Sequence, residues 1–167
     1  GIDNGGLTVY TGIYMLILKV DAALRSGRVQ FAVAGGYAVN MNGVARSTLD
    51  LDLVLHWTKP NLKRAEAALN KLGLVSKLPI TAAEVFDFRK EYIEKRNLVA
   101  WNFHNPLDPS ELGDLLIPHD LKDMKTNTVM VEGTRIPVLE RTELIRMKRK
   151  SGRPQDMEDA AALEKRV

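Results

Sequence analysis

The sequence predicts an α/β (or α+β) sandwich: a mixed sheet flanked by helices and closed by a C-terminal helix pair. Three observations carry this. Short apolar runs of strand length are interleaved with stretches of helical periodicity, a hairpin pattern comes late in the chain, and helices stand at both ends.

Taken in order, Tyr10, Ile13, Ile17, Val20 and Leu24 recur at helical spacing, with Gly27 placed to end the helix. The apolar run Phe31 to Ala34 stops at Gly35-Gly36, and its length and flanking glycines make it a strand. Tyr37 to Asn42 reads as a short helix closed by Gly43. Leu49, Leu51, Leu53 and Leu55 then alternate with Asp50, Asp52 and Val54, a period-two strand with an apolar face opposite an acidic one. Pro60 suits the first turn of a helix carrying Leu62, Ala65, Leu69 and Leu72, which Gly73 closes. Thr81 and Glu84 match a capping box, so another helix is expected to run towards Arg96. Leu98 to Phe103 and Asp114 to Ile117 read as strands separated by a Pro106 to Gly113 loop, and Pro118 to Lys125 as a short helix. Thr128 to Val131 and Arg135 to Leu139 flank Glu132-Gly133 as a hairpin. Two helices, Thr142 to Lys150 and Gln155 to Lys165, close the chain on either side of Ser151-Gly152-Arg153-Pro154.

Composition narrows the class. A chain of 167 residues is expected to form one domain spanning 1–167, with helices 142–165 packed on it. Apolar residues make up 45% and charged residues of mixed sign 27%, which argues against disorder. The absence of cysteine excludes disulfides and thiolate metal sites and fits a reducing, cytoplasmic setting. No apolar run reaches the ~20 residues of a membrane helix, and the start lacks the basic region and cleavage site of a signal peptide, so no membrane partner is expected.

The formal net charge is only +3, but Arg141, Arg146, Lys148, Arg149 and Lys150 cluster between Arg135 and Arg153, opposed by Glu140 and Glu143. Such a cluster attracts phosphates or nucleic acid; the plainer alternative is a solvated helix face.

The candidate chemistry centres on Asp50 and Asp52. Residues two apart on a strand project to one side, ~6 to 7 Å apart at a rise of ~3.3 Å per residue. Two ionised carboxylates this close repel unless they share a cation. Hard oxygen donors in this arrangement suit Mg²⁺, which binds through one or two carboxylates plus substrate phosphates. Gly35 and Gly36 end one strand and open a helix, leaving main-chain N–H groups open to a triphosphate. Arg46, just before the acidic strand, offers a forked phosphate contact.

The run Ala34-Gly35-Gly36-Tyr37-Ala38, then seven residues, then Arg46-Ser47-Thr48-Leu49-Asp50-Leu51-Asp52-Leu53 resembles the nucleotidyltransferase superfamily that includes DNA polymerase beta. It looks closest to small bacterial nucleotidyltransferase-like proteins, among them AbiE-type toxins. The segments Glu143 to Lys148 and Ser151 to Asp159 are similar to their closing helix pair.

The resemblance implies that Asp50 and Asp52 bind metal, Mg²⁺ or Mn²⁺, and that Gly35 and Gly36 form the loop that holds nucleotide phosphates. Many active members carry Gly-Ser there, and Gly36 lacks that hydroxyl. The third carboxylate of the family's pattern is expected at Asp114, with Asp87 as the rival. Lys148 is the candidate to reach the triphosphate, or else a lysine that only snorkels from the buried stripe of its helix. Arg153 and Asp156 read as an ion pair at a helix start.

The three histidines, His56, His104 and His119, form no metal-ligand spacing. Trp57 and Trp101 read as packing residues.

The function implied is metal-dependent transfer of NMP from an NTP to an acceptor that is RNA, protein or a small molecule. The alternative is a catalytically reduced nucleotide- or RNA-binding module, such as a toxin–antitoxin component. The sequence fixes no oligomeric state.

Overall fold

The computed structural model describes residues 2–3, 6–7 and 11–166, with side chains from residue 14 onward. Its elements run β1 (Ile2–Asp3), β2 (Gly6–Leu7), α1 (Thr11–Ser26), β3 (Phe31–Ala34), α2 (Gly35–Met41), β4 (Asp50–Leu55), α3 (Lys59–Lys71), β5 (Val75–Ser76), α4 (Ala82–Asp87) and α5 (Arg89–Arg96). Then come β6 (Ala100–Asn105), β7 (Asp108–Leu116), a 3-10 turn (Leu121–Asp123), β8 (Thr126–Val131), β9 (Thr134–Leu139), α6 (Arg141–Ser151) and α7 (Pro154–Glu164). Tyr10 and the side chain of Ile13 lie outside the described residues.

The strands form one mixed sheet in the order β1-β2-β8-β9-β3-β4-β7-β6-β5. At its centre β4 is antiparallel to β3 and parallel to β7, while β9 runs parallel to β3. The predicted alternation of β4 is realised. Leu51 and Leu53 face Leu16 and Val20 of α1, Leu69 of α3, and Phe103 and Leu115 of the neighbouring strands. Asp50 and Asp52 are left on the opposite face. Burial of Leu51, Leu53, Phe103 and Leu115 to 1–2% exposure fixes the strand's orientation, because a one-residue slip would exchange leucines for aspartates.

Loop ends are secured by specific caps. Thr58 accepts from the Asn61 N–H to start α3, with Pro60 in its first turn. The Thr81 hydroxyl accepts from the Glu84 N–H and donates to the Glu84 carboxylate, so this box closes through the hydroxyl on both counts. Buried Asn61 ties α3 to the sheet: its amide donates to the carbonyls of Gln30 and His56 and accepts from the Gln30 N–H.

Three expectations are corrected. The helix expected to run from Thr81 to Arg96 breaks at Phe88, which caps α4 and opens α5. The turn there brings Arg89 onto the carbonyl of Ile117 at 2.8 Å and over the ring of Trp57 at 4.3 Å. The Pro106 to Gly113 segment is strand, not loop: Pro106-Leu107 is a tight turn and β7 already starts at Asp108. The prolines misled because the register jumps from His104↔Leu112 to Asn105↔Asp108, and Pro109 sits in the resulting bulge, where no ladder N–H is needed. The short helix expected over Pro118 to Lys125 is reduced to the Leu121–Asp123 turn. Strands β1, β2 and β5, of two residues each, have too few residues to show periodicity.

The Asn61 network gives the first prediction. Asn61→Ala removes the side-chain partner of the Gln30 N–H and of the Gln30 and His56 carbonyls, of which the Gln30 carbonyl keeps the His56 N–H, so the unfolding free energy should fall by roughly 1–3 kcal/mol. Urea denaturation would show this as a lower midpoint with unchanged slope.

Candidate active site

Sheet register assembles the site. Reading across the sheet, Ala34 of β3 lies beside Asp52 of β4, Asp52 beside Asp114 of β7, and Asp114 beside Asn102 of β6. Asp52 and Asp114 therefore stand side by side on parallel neighbours, and Asp50 lies two residues along β4. All three line an open cleft of about 890 Å³, together with Gly36, Arg46, Thr48, Lys148 and Arg153. Asp87, the rival third acid, is elsewhere; it is ion-paired with Lys59 at 3.0 Å. Asp114 sits within β7 rather than opening it, since the strand begins six residues earlier at Asp108.

The glycine pair is needed for steric reasons. Gly35 has φ of +62°, and a Cβ built there would land on the carboxylate of Asp52. At Gly36 a Cβ would lie 2.6 Å from the Thr48 hydroxyl oxygen and 3.4 Å from the Arg46 guanidinium. The loop carrying those two residues is held by Asn40, whose side-chain oxygen accepts the Arg46 N–H at 2.7 Å.

Charge is poorly balanced around Asp52. Burial, then repulsion from Asp114 and Asp50, push its carboxyl up to about 7, with Lys148 only partly offsetting them. It hydrogen-bonds to Asp114. Asp114 is also raised by burial, although the amide of Asn102, donating to it at 2.6 Å, pulls the other way. The Tyr37 hydroxyl is held above its ordinary range by burial and by the field of Asp50. Asp52 and Asp114 are thus hydrogen-bonded to each other while burial disfavours the charged form of each. Among the described residues no three of His, Asp and Glu form a ready-made metal cage. The donor set, hard oxygens short of positive charge, fits a divalent ion whose shell is completed by substrate phosphates.

The cations on the cleft wall are tied to α7. Asp159 pairs with Arg46 at 2.9 Å and with Lys148 at 3.0 Å, while Asp156 pairs with Lys148 at 3.2 Å and Arg153 at 2.8 Å. Asp156 is pushed up by burial, but hydrogen bonds from Ser151, Arg153 and Lys148 prevail and hold it at about 2. Lys148 is thus a bridging cation at the site's edge. Of the basic cluster, Arg146 and Arg149 are also paired, with Glu143 and Glu164.

A second cavity of about 330 Å³ opens against Asp52 and Gly35, walled by Val99, Leu144, Met147 and His119. The His119 imidazole is kept below its ordinary pKa by burial, then by Lys150 and Arg89. His104 pairs within the sheet, opposite Leu112 and Val75, and lines neither cavity. Both tryptophans are buried.

Sequence reasoning missed Asn40, Thr48, Asn102, Asp156 and Asp159 as parts of this site. Only the last two left a signal: acids three apart in the closing helix, on the side from which Lys148 approaches.

The raised carboxyl of Asp52 makes stability depend on pH in a defined sense. A group whose folded pKa of about 7 exceeds its reference value of 3.8 favours the folded state below pH ~4 and loses that contribution as pH rises through about 7. Asp52→Asn should therefore match the wild type near pH 4 and exceed it by on the order of a few kcal/mol above pH ~7.5. Urea unfolding of both proteins from pH 4 to 8.5 measures the difference.

No protein-family model matches the sequence, and no curated protein does. Solved structures do match. A Thermotoga maritima protein provisionally assigned as a nucleotidyltransferase superimposes with a TM-score of 0.62 at 16% identity, covering 98% of this chain and 97% of that one. The lincosamide antibiotic adenylyltransferase LnuA, in a lincomycin-bound crystal structure, gives 0.61 at 12% identity over 92% and 97% of the two chains. The antibiotic-resistance factor ANT(2'')-Ia gives 0.60 at 13% identity over 93% and 84%, and has also been crystallised with adenylyl-2''-tobramycin. At such low identity the likeness speaks to architecture: the chain has the nucleotidyltransferase fold.

Proposed function

We propose that this protein transfers a nucleoside monophosphate from an NTP to a hydroxyl-bearing acceptor, with Mg²⁺ or Mn²⁺ bound by Asp50, Asp52 and Asp114. The observation that carries the reading is the side-by-side placement of Asp52 and Asp114, short of positive charge, in a cleft also lined by Gly36, Arg46 and Thr48. A divalent ion held there supplies charge neutralisation at the α-phosphate and at the leaving pyrophosphate.

The chain's own residues do the rest. Gly36 lines the cleft beside Thr48, and Arg46 and Lys148 present positive charge held in place by Asp159. The acceptor oxygen bonds to the α-phosphorus as the bond to the bridging α–β oxygen breaks, pyrophosphate departs, and the hydroxyl proton passes to the Asp52–Asp114 pair. The second cavity touches Asp52 from another side and supports a small-molecule acceptor, since its volume of about 330 Å³ and its aliphatic wall are on that scale. Antibiotics occupy this role in LnuA and ANT(2'')-Ia, as their names and complexes state.

The other readings draw less support. An RNA surface on α6 is weakened by the pairing of Arg146, Lys148, Arg149 and Arg153 with acids of α6 and α7. Kinship with AbiE-type toxins, and a toxin–antitoxin role, rest on the two sequence blocks alone.

Mg²⁺ with ATP or another NTP should raise the melting temperature of the wild type, and the double substitution Asp50→Asn with Asp52→Asn should abolish the rise. Incubation with α-labelled NTPs and cellular small molecules, RNA or protein should give a labelled product that the double variant does not make. A rise that persists in the double variant would contradict the assignment.

A further inference from the structure

The resemblance leaves a gap at Gly36, where a serine would bring a hydroxyl to the phosphate loop. The structure shows what fills that space. A Cβ built on Gly36 would lie 2.6 Å from Thr48 Oγ1 and 2.8 Å from Thr48 Cβ. The side chain of Thr48 therefore occupies the volume that a residue-36 side chain would need. Both residues line the cleft, and the Arg46 guanidinium lies 3.4 Å from the same point.

The Thr48 hydroxyl is poised rather than committed. Its hydrogen bond to the Asp50 carbonyl is long, at 3.4 Å, so it gives up little by turning to a better acceptor. Its loop is anchored from the other side by Asn40, so the hydroxyl is presented from a fixed backbone. A hydroxyl donor and a guanidinium thus converge beside the Gly36 main chain. A phosphate oxygen is an acceptor that suits both.

We propose that Thr48 supplies from the strand side the phosphate-binding hydroxyl that Gly36 lacks, and that Gly36 is glycine because Thr48 fills its side-chain space. The inference rests on the nucleotide-transfer reading above and assigns a binding residue within it. It makes residues 36 and 48 a reciprocal pair, in which either position can carry the hydroxyl but not both.

Calorimetric titration with Mg·ATP tests this on the full chain, with Mg·GTP as a second probe and melting temperature as a check on folding. Thr48→Val, which keeps the shape and removes the hydroxyl, should weaken binding by about tenfold or more, the scale of one lost hydrogen bond to a charged group. Thr48→Ser should stay within about threefold of the wild type. Gly36→Ser alone should bind poorly and melt lower because its side chain meets Thr48. Gly36→Ser combined with Thr48→Gly, which removes the Cβ at 2.8 Å as well as the hydroxyl, should recover both properties, with affinity again within about threefold of the wild type. A role for Thr48 in loop packing alone predicts that Thr48→Val binds as the wild type does. Undiminished binding by Thr48→Val, or a double variant no better than the poorer single one, would overturn the proposal and leave nucleotide transfer intact. A wild type that binds neither nucleotide would refute both.

Discussion

The structure turns on one lateral contact, Asp52 against Asp114 on parallel neighbouring strands, with Asp50 close by and too little positive charge to balance three acids. Several features follow from it. Residue 35 must lack a side chain because the Asp52 carboxylate lies where a Cβ would be. Asn102, the next residue across the sheet, has to donate to Asp114. Lys148 of α6 is the cation whose charge partly offsets that of the other acids at Asp52. Two acids forced together by backbone pairing, rather than by flexible side chains, cannot relax apart, and that stored repulsion is what a bound cation would relieve.

A second layer of charge controls the cations themselves. The series Arg46, Asp159, Lys148, Asp156 and Arg153 alternates in sign from the loop before β4, through α6, to α7. Asp159 and Asp156 are nearly inaccessible, at 4% and 3% side-chain exposure, and both hold Lys148, itself only 12% exposed, so that either acid still pairs with it when the other is deleted. The closing helix pair thus acts as the rear support of the cleft as well as a lid on the core. Similar pairing engages Arg146, Lys148 and Arg149 of α6, part of the cluster that reads in the sequence either as a solvated helix face or as a surface for phosphate or nucleic acid.

What was legible in the sequence was periodic or punctuated. The alternation of leucine and aspartate in β4 gave its faces, and Gly35-Gly36, Pro60, Gly73 and Glu132-Gly133 marked true boundaries. Chemistry local to one element was legible too, hence Asp50, Asp52, the glycine pair and Arg46. What the sequence withheld depends on register between distant strands. Nothing near residue 102 announces that its amide will meet Asp114, and nothing near residue 48 announces that its hydroxyl fills the space beside Gly36. Asp114 itself was named through family pattern, and its true setting, within a nine-residue strand, was hidden by a proline in a bulge. The break at Phe88 was equally invisible, because its reason, the reach of Arg89 to Ile117 and Trp57, is tertiary.

Counting protons on cation binding tests the crowded carboxylates most directly. Mn²⁺ titrated calorimetrically at pH 6 in two buffers of different ionisation enthalpy should release close to one proton per ion, drawn from the carboxyl held at about 7, and almost none at pH 8.5. Binding at pH 6 without proton release, or unchanged release from Asp52→Asn, would contradict the claim that repulsion among these acids is what the site offers to a metal.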